Sequence, residues 1–327
     1  MRRRLLATIA VTAAIAFPAR AQSDFPNRPV TIVSPYAAGG PSDVTTRILA
    51  TELGKVWDQP VVVLNRGGAG TTIGTDYVAR SKPDGYTLLQ TAGSFTINPA
   101  VRHNLPYDTA RDFTNVAIVL ASPHAVVAHP GLAANTMQEL LAEARRRGRQ
   151  RPLTYASSGV GSAAHLAGEL IQSVTGATFE HVPYNGQNEA AGDILAGRVD
   201  FAVTNWSDAR PSYQAGKLKV LAIGFPTRLP EAPDLPTLYE AVPEMAGLPV
   251  GGWNGIAAPA GLPADVLAKI ADAIRKATES EVYRERILAV GAFPTPTFMG
   301  PEEADAFIKK EMRVWSDLVR KQGIQVN

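Results

Sequence analysis

Short apolar runs alternate with longer amphipathic stretches along most of the chain, and this alternation sets the expected elements. Residues 30–34 read as a buried strand. The next segment puts Val44, Ile48, Leu49, Leu53 and Val56 on one helix face, with Ser42 placed to cap it. A second unit follows: a strand over 61–64, the turn Asn65-Arg66-Gly67-Gly68-Ala69-Gly70, and a helix over 71–80. Pro83-Asp84-Gly85 then turns into a strand over 86–90. Further on, 137–147 reads as helix, 153–156 as strand, 162–173 as helix and 199–204 as strand. Proline-rich connections over 226–249 precede a strand over 254–258, a helix opening at Pro263, and a last helix after Pro301-Glu302-Glu303. Proline at the first helical position and early acids support both of these starts. The repeated strand–helix order predicts an α/β fold of parallel sheets covered on both faces, with ligands at the carboxyl ends of the strands.

Two turns share one chemistry. Pro35-Tyr36-Ala37-Ala38-Gly39-Gly40-Pro41-Ser42-Asp43 and Ser157-Ser158-Gly159-Val160-Gly161-Ser162-Ala163-Ala164-His165 each follow a strand candidate and open a helix candidate. Glycine lets a backbone come close to a ligand, and the first turn of a helix offers unpaired N–H groups at the positive end of its dipole. The pair reads as the two halves of a clamp for a carboxylate or phosphate.

The first 21 residues change the picture of charge. Arg2-Arg3-Arg4, an apolar stretch over 5–17, and Ala19-Arg20-Ala21 before Gln22 have the grammar of a secretory signal, with Gln22 as the expected mature start. This segment carries four of the 32 Lys and Arg and no acid, which leaves 28 against 30 Asp and Glu, a net charge near −2. The basic run Arg145-Arg146-Arg147 with Arg149 and Arg151 is best placed as a solvated helix end, so nucleic acid is not an expected partner. With no cysteine, neither a disulfide framework nor a thiolate zinc site can form.

Enzymatic alternatives have weaker signals. Gly159-Val160-Gly161-Ser162-Ala163-Ala164 fits a variant dinucleotide fingerprint with Glu180 downstream, but it begins in mid-chain. Ser162 and His165 share a helix face as a serine–histidine pair, without the Gly-x-Ser-x-Gly elbow of a hydrolase. No His-x-x-x-His pair occurs among the five histidines, and neither a metal nor a cofactor is expected. Tyr36, Phe95, Tyr184, Trp206 and Trp253 stand out as aromatic candidates for pocket walls.

These motifs, with Pro83-Asp84-Gly85-Tyr86-Thr87-Leu88-Leu89, His181-Val182-Pro183-Tyr184-Asn185-Gly186 and the stretch 253–263, resemble the Bug-type extracytoplasmic solute-binding proteins of tripartite tricarboxylate transporters. The resemblance runs through nearly the whole chain after the signal. It implies a two-lobed periplasmic-binding-protein fold of type II, a Venus flytrap, with residues 22–118 and 224–327 in one lobe and 119–223 in the other. The chain would cross a hinge near 116–122 and 219–225. It also implies no catalysis, a periplasmic location, a small organic carboxylate as ligand (di-, tri- or aromatic), and a monomer working with integral-membrane transporter subunits or a sensor kinase.

Carried onto this sequence, the site is Tyr36, Ala38, Gly39, Gly40, Ser42 and Asp43 from the first turn, and Ser157, Ser158, Gly159, Gly161, Ser162 and His165 from the second. Ala69, Gly70, Ser94 and Asn185 complete the wall, followed by Thr204, Asn205 and Trp206. Many members of the family have Asp-Asn where this chain has Thr204-Asn205. Thr204 supplies no negative charge, so the ligand is expected to lack an ammonium, and Trp206 would favour an aromatic or extended body.

Overall fold

The computed structural model describes residues 24–184 and 187–324. In chain order the first elements are β1 (Val30–Ser34), α1 (Pro41–Trp57), β2 (Val61–Asn65), α2 (Thr72–Ala79), β3 (Thr87–Ala92), α3 (Gly93–Val101) and β4 (Phe113–Ser122). They are followed by β5 (His124–Ala128), α4 (Met137–Arg147), β6 (Leu153–Ser157), α5 (Ala163–Thr175), β7 (Phe179–Pro183), α6 (Gln187–Leu195), β8 (Phe201–Asn205), α7 (Trp206–Gln214) and β9 (Lys219–Gly224). The rest comprises α8 (Leu238–Ala241), β10 (Gly252–Pro259), α9 (Ala264–Glu279), α10 (Glu281–Ala289), β11 (Phe293–Met299) and α11 (Pro301–Gln322).

The described strands form two sheets, one in the order β11-β4-β10-β3-β1-β2 and the other β7-β6-β8-β5-β9. β1 runs parallel to β2 and β3, and β6 parallel to β7 and β8, as the strand–helix alternation predicts. The remaining pairs correct that expectation, because β10 is antiparallel to β3 and β4, β11 to β4, and β5 to β8 and β9. The reason is the crossover. β4 leaves the first sheet at Ser122 and β5 enters the second at His124, so a strand that starts at the crossing runs against those that end at the cleft.

Each sheet has apolar cores on its faces. Val30, Ile32, Leu88, Leu49 and Leu53 pack with Ile270 and Ile274 of α9 on the first, while Leu153, Tyr155 and Phe201 pack with Leu166 and Leu170 of α5 on the second. Residues 225–251, expected in the first lobe, lie against the second sheet: Leu238, Val242, Met245 and Val250 share a core with Leu221 and Ala222 of β9. The start of α8 is fixed there by a reciprocal cap between Thr237 and Glu240. α11 spans both halves, with Ala304 and Ile308 in a first-sheet core and Trp315, Leu318 and Val319 in a second-sheet core.

Local starts differ from expectation in two places. Gly40 caps α1 with Pro41 at its first position, so the Ser42 hydroxyl is not the cap, and Val44 and Val56 are exposed while Ile48, Leu49 and Leu53 face the core. Pro263 is itself the cap residue of α9. The arginines of α4 sit in its last turn, where Glu143 pairs with Arg146 and Arg147.

Candidate functional site

A cleft of about 1070 Å³ opens where α1, α3, α5 and α7 begin, immediately after β1, β3, β6 and β8. Four helix N-termini therefore face one space, and their free N–H groups and dipoles favour an anion there. Among the described residues that line it, the only charged side chains are Arg102 and Asp208.

The first wall is held by hydrogen bonds among its own residues. The Tyr36 hydroxyl and Ser94 Oγ are 2.7 Å apart, Thr71 Oγ1 donates to Ser94 Oγ at 3.2 Å, and Asn98 Nδ2 donates to the Gly70 carbonyl at 2.8 Å. Burial pushes the Tyr36 hydroxyl up to about 12, so it remains protonated. Gly39 has φ of 79°, which permits the turn to double back so that its N–H donates to Asp43 Oδ2 at 2.8 Å. Asp43 also accepts from Asn65 Nδ2 at 2.8 Å and Arg47 Nε at 2.9 Å. Burial opposes its ionisation, but these donors outweigh it and hold its pKa below the usual range. Asp43 is 2% exposed and does not line the cleft. It shapes the turn, and Tyr36, Gly39, Gly40, Ser42, Gly70 and Ser94 form the surface, while Ala38 and Ala69 lie outside the lining.

The second wall rests on two stacked imidazoles. His165 and His181 have ring centroids 4.0 Å apart, and burial lowers their pKa values to about 3 and about 4, with the neighbouring ring adding to the effect on His165. Neutral His165 accepts the Gly161 N–H on Nδ1 at 3.1 Å, and its backbone N–H donates to Ser162 Oγ at 3.1 Å, the cap of α5. Ser162 and His165 thus form a backbone-ordering pair whose geometry is not that of a nucleophile and its base. Ser157 Oγ lies 2.7 Å from His181 Nε2, but Ser157 is fully buried and out of reach of a substrate. Ser158, Gly161 and Ser162 line the cleft; Ser157, Gly159 and His165 stand behind them. Asn185 lies outside the described residues.

The expectations for β8 and α7 need correction. Thr204 is 8% exposed within the sheet and is not part of the lining. Trp206 is 1% exposed, packs in the second-sheet core, and donates Nε1–H to Glu231. It is the first residue of α7, after the N-cap Asn205, and its side chain packs inward. The inferences drawn from these two side chains about ligand shape and charge therefore lose their basis. Asn205 does line the cleft, and its Nδ2 donates to Asp208 Oδ2 at 3.2 Å. Asp208 itself lines the cleft, so an acid stands where Thr204 suggested none, although burial raises its pKa and disfavours its charged form. Of the aromatic candidates, Tyr36 and Trp253 line the space, whereas Phe95 is in the core and Tyr184 donates to Asp193 at 2.7 Å.

Sequence reasoning missed Asn98, Arg102, His124, Ser207, Asp208 and Asn254, all part of the lining. Asn254 Nδ2 donates to Thr45 Oγ1 at 3.0 Å, tying the floor strand β10 to α1. Pro99 inside α3 interrupts the helical pattern that would otherwise mark Asn98 and Arg102. Asp208 had a readable signal as an acid in the first turn of a helix opened by Asn205.

The family model described as the tripartite tricarboxylate transporter family receptor matches residues 45–324. Protein BugT of Bordetella pertussis is 34% identical over 329 residues, covering 99% of this chain and 98% of that protein. Among solved structures, the periplasmic binding protein BugD superposes with a TM-score of 0.75 at 32% identity, over 92% of this chain and 99% of its own. An R. palustris protein solved with adipate gives a TM-score of 0.78 at 30% identity, over 92% and 99%. The fold is the two-lobed α/β fold of periplasmic binding proteins, and receptors of this family are periplasmic solute-binding proteins rather than enzymes. A cleft framed by helix N-termini and a match through both halves of the chain together place this protein in the tripartite tricarboxylate transporter receptor family.

Proposed function

We propose that this protein is a periplasmic receptor that captures a small organic carboxylate in the cleft and delivers it to the membrane subunits of a tripartite tricarboxylate transporter. The observation that carries the reading is the convergence of four helix N-termini on a space with only two charged lining residues among those described. Such a site neutralises a carboxylate mainly with backbone N–H groups, and each hydrogen bond to a charged group contributes about 1.5–3 kcal/mol net. A few of them reach micromolar affinity, roughly −8 kcal/mol, from which release to a transporter is still possible. The adipate held by the R. palustris relative supports a carboxylate ligand.

In this reading Tyr36, Gly39, Gly40, Ser42, Gly70 and Ser94 form the first grip, and Ser158, Gly161, Ser162 and Asn205 the second. Closure runs about the Ser122–His124 crossing and the return between β9 and β10. The leader 1–21 exports the chain, and the receptor acts as a monomer.

The test is a thermal-shift panel on protein unfolded and refolded to strip ligand, with di-, tri- and aromatic carboxylates, amino acids and nucleotides. Ligand at 100 times Kd adds about 2.7 kcal/mol, so stabilisation by one carboxylate class is the expected result. Silence from every acid together with a shift from a nucleotide would overturn the proposal.

A further inference from the structure

Arg102 is the one cationic side chain among the described residues lining the cleft, and the carboxylate grip just described does not use it. It caps the carboxyl end of α3, half-buried, with its backbone N–H on the Asn98 carbonyl at 3.0 Å. Its Nε makes one long hydrogen bond, 3.4 Å, to Asn98 Oδ1. Among the described residues no carboxylate pairs with it, so most of its five donors remain uncommitted at the cleft surface.

The loop beside it is shaped around the guanidinium. Gly70 has φ of 60°, and a Cβ there would stand 2.5 Å from Arg102 Nη2. Asn98 holds that loop from the same helix, through the Gly70 carbonyl at 2.8 Å and Thr71 Oγ1 at 3.2 Å. The forked cation is therefore seated against a fixed backbone, which lowers the ordering cost of a bidentate contact. The other charged lining residue, Asp208, belongs to α7 in the opposite lobe and repels a second anionic group on its side.

We propose that Arg102 forms a second anion subsite, so that the receptor selects a dicarboxylate whose first carboxylate meets the helix N-termini and whose second meets the guanidinium. The inference rests on the receptor reading above and adds the residue that sets the charge count of the ligand.

The test compares ligands that differ by one charge at nearly constant shape: succinate, glutarate and adipate, each against its half-amide, titrated calorimetrically into the refolded full-length mature protein. Wild type is expected to favour at least one diacid over its half-amide by about tenfold or more, the size of a charge-assisted pair. In R102Q that ratio falls to within about threefold of unity while half-amide affinity stays the same, and R102K recovers part of the ratio. An unchanged ratio in R102Q, equal losses for both ligands, or an R102K ratio as low as that of R102Q overturns the role of Arg102 and leaves the receptor reading intact. If wild type binds neither diacids nor half-amides but binds other carboxylates, the second subsite alone is refuted. If it binds no carboxylate at all, the receptor reading falls as well.

Discussion

His124 sits at the crossing between the two sheets, 5% exposed and lining the cleft, and burial lowers its pKa from the ordinary 6.5 to about 4, partly offset by a hydrogen bond with the Val250 backbone. The folded protein thus holds this imidazole neutral, while the unfolded chain protonates it below pH 6.5. Stability from this group is complete above that value and is lost as the pH falls towards 4. Between pH 8 and pH 5 the loss for one such group is roughly 1.5 pK units, or about 2 kcal/mol. His165 and His181 act in the same direction, whereas Glu169 and Glu311, whose pKa values burial raises, act against them. The contribution of His124 is therefore read as a double difference: urea unfolding of wild type and of H124Q, each at pH 8 and at pH 5. The constant cost of the substitution and the other titrating groups cancel, and wild type should lose about 2 kcal/mol more than H124Q. Equal losses in the two proteins would refute the reasoning, because they would mean that His124 titrates alike when folded and unfolded.

Replacing Ser162 by alanine removes the cap of α5 and should cost about 1 kcal/mol in urea unfolding, with weaker carboxylate binding by isothermal titration; an unchanged midpoint would discount the cap. At Gly168, inside α5, a Cβ would stand 2.4 Å from the ring of fully buried Tyr155, so G168A should destabilise by about 1–3 kcal/mol in the same assay, and neutrality would show that the ring has room to move. D208N removes the one carboxylate of the described cleft lining and should tighten a dianionic ligand by up to about tenfold, or 1.4 kcal/mol, more at pH 8 than at pH 5 because burial raises the Asp208 pKa. Weaker binding in D208N would mean that the acid receives a donor from the ligand.

The sequence was most legible where local chemistry determines structure. The helix over 137–147 has the bounds of α4 because Thr136 caps it and an uninterrupted amphipathic run follows, and the strand over 30–34 coincides with β1 because its burial is nearly continuous. Both glycine turns were readable for the same reason, since positive φ at Gly39, Gly159 and Gly161 is a demand that sequence records directly. Strand direction in the crossing elements was not readable: an apolar run such as β5 carries no mark of which neighbour it will meet. Nor was the inward turn of Trp206, which depends on Glu231 being placed opposite by the connection between β9 and α8.

The two walls are built unequally, and this bears on how the lobes would close under the proposed receptor reading. Tyr36, Ser94, Thr71, Asn98, Asn65 and Asp43 cross-link the first wall from three separate connections, so its donors are oriented before any ligand arrives. The second wall depends on a lone pair of neutral His165, which accepts the Gly161 N–H, and on the Ser162 cap. Those bonds spend donors on shaping the turn rather than leaving them to the cleft. Under the proposed receptor reading, a ligand carboxylate would meet the prepared wall first at little ordering cost, and the second wall would follow as the lobes close. On that reading the selectivity would lie at the far end of the ligand, because helix N-termini accept any carboxylate and the charged side chains of the described lining, Arg102 and Asp208, would distinguish what it carries.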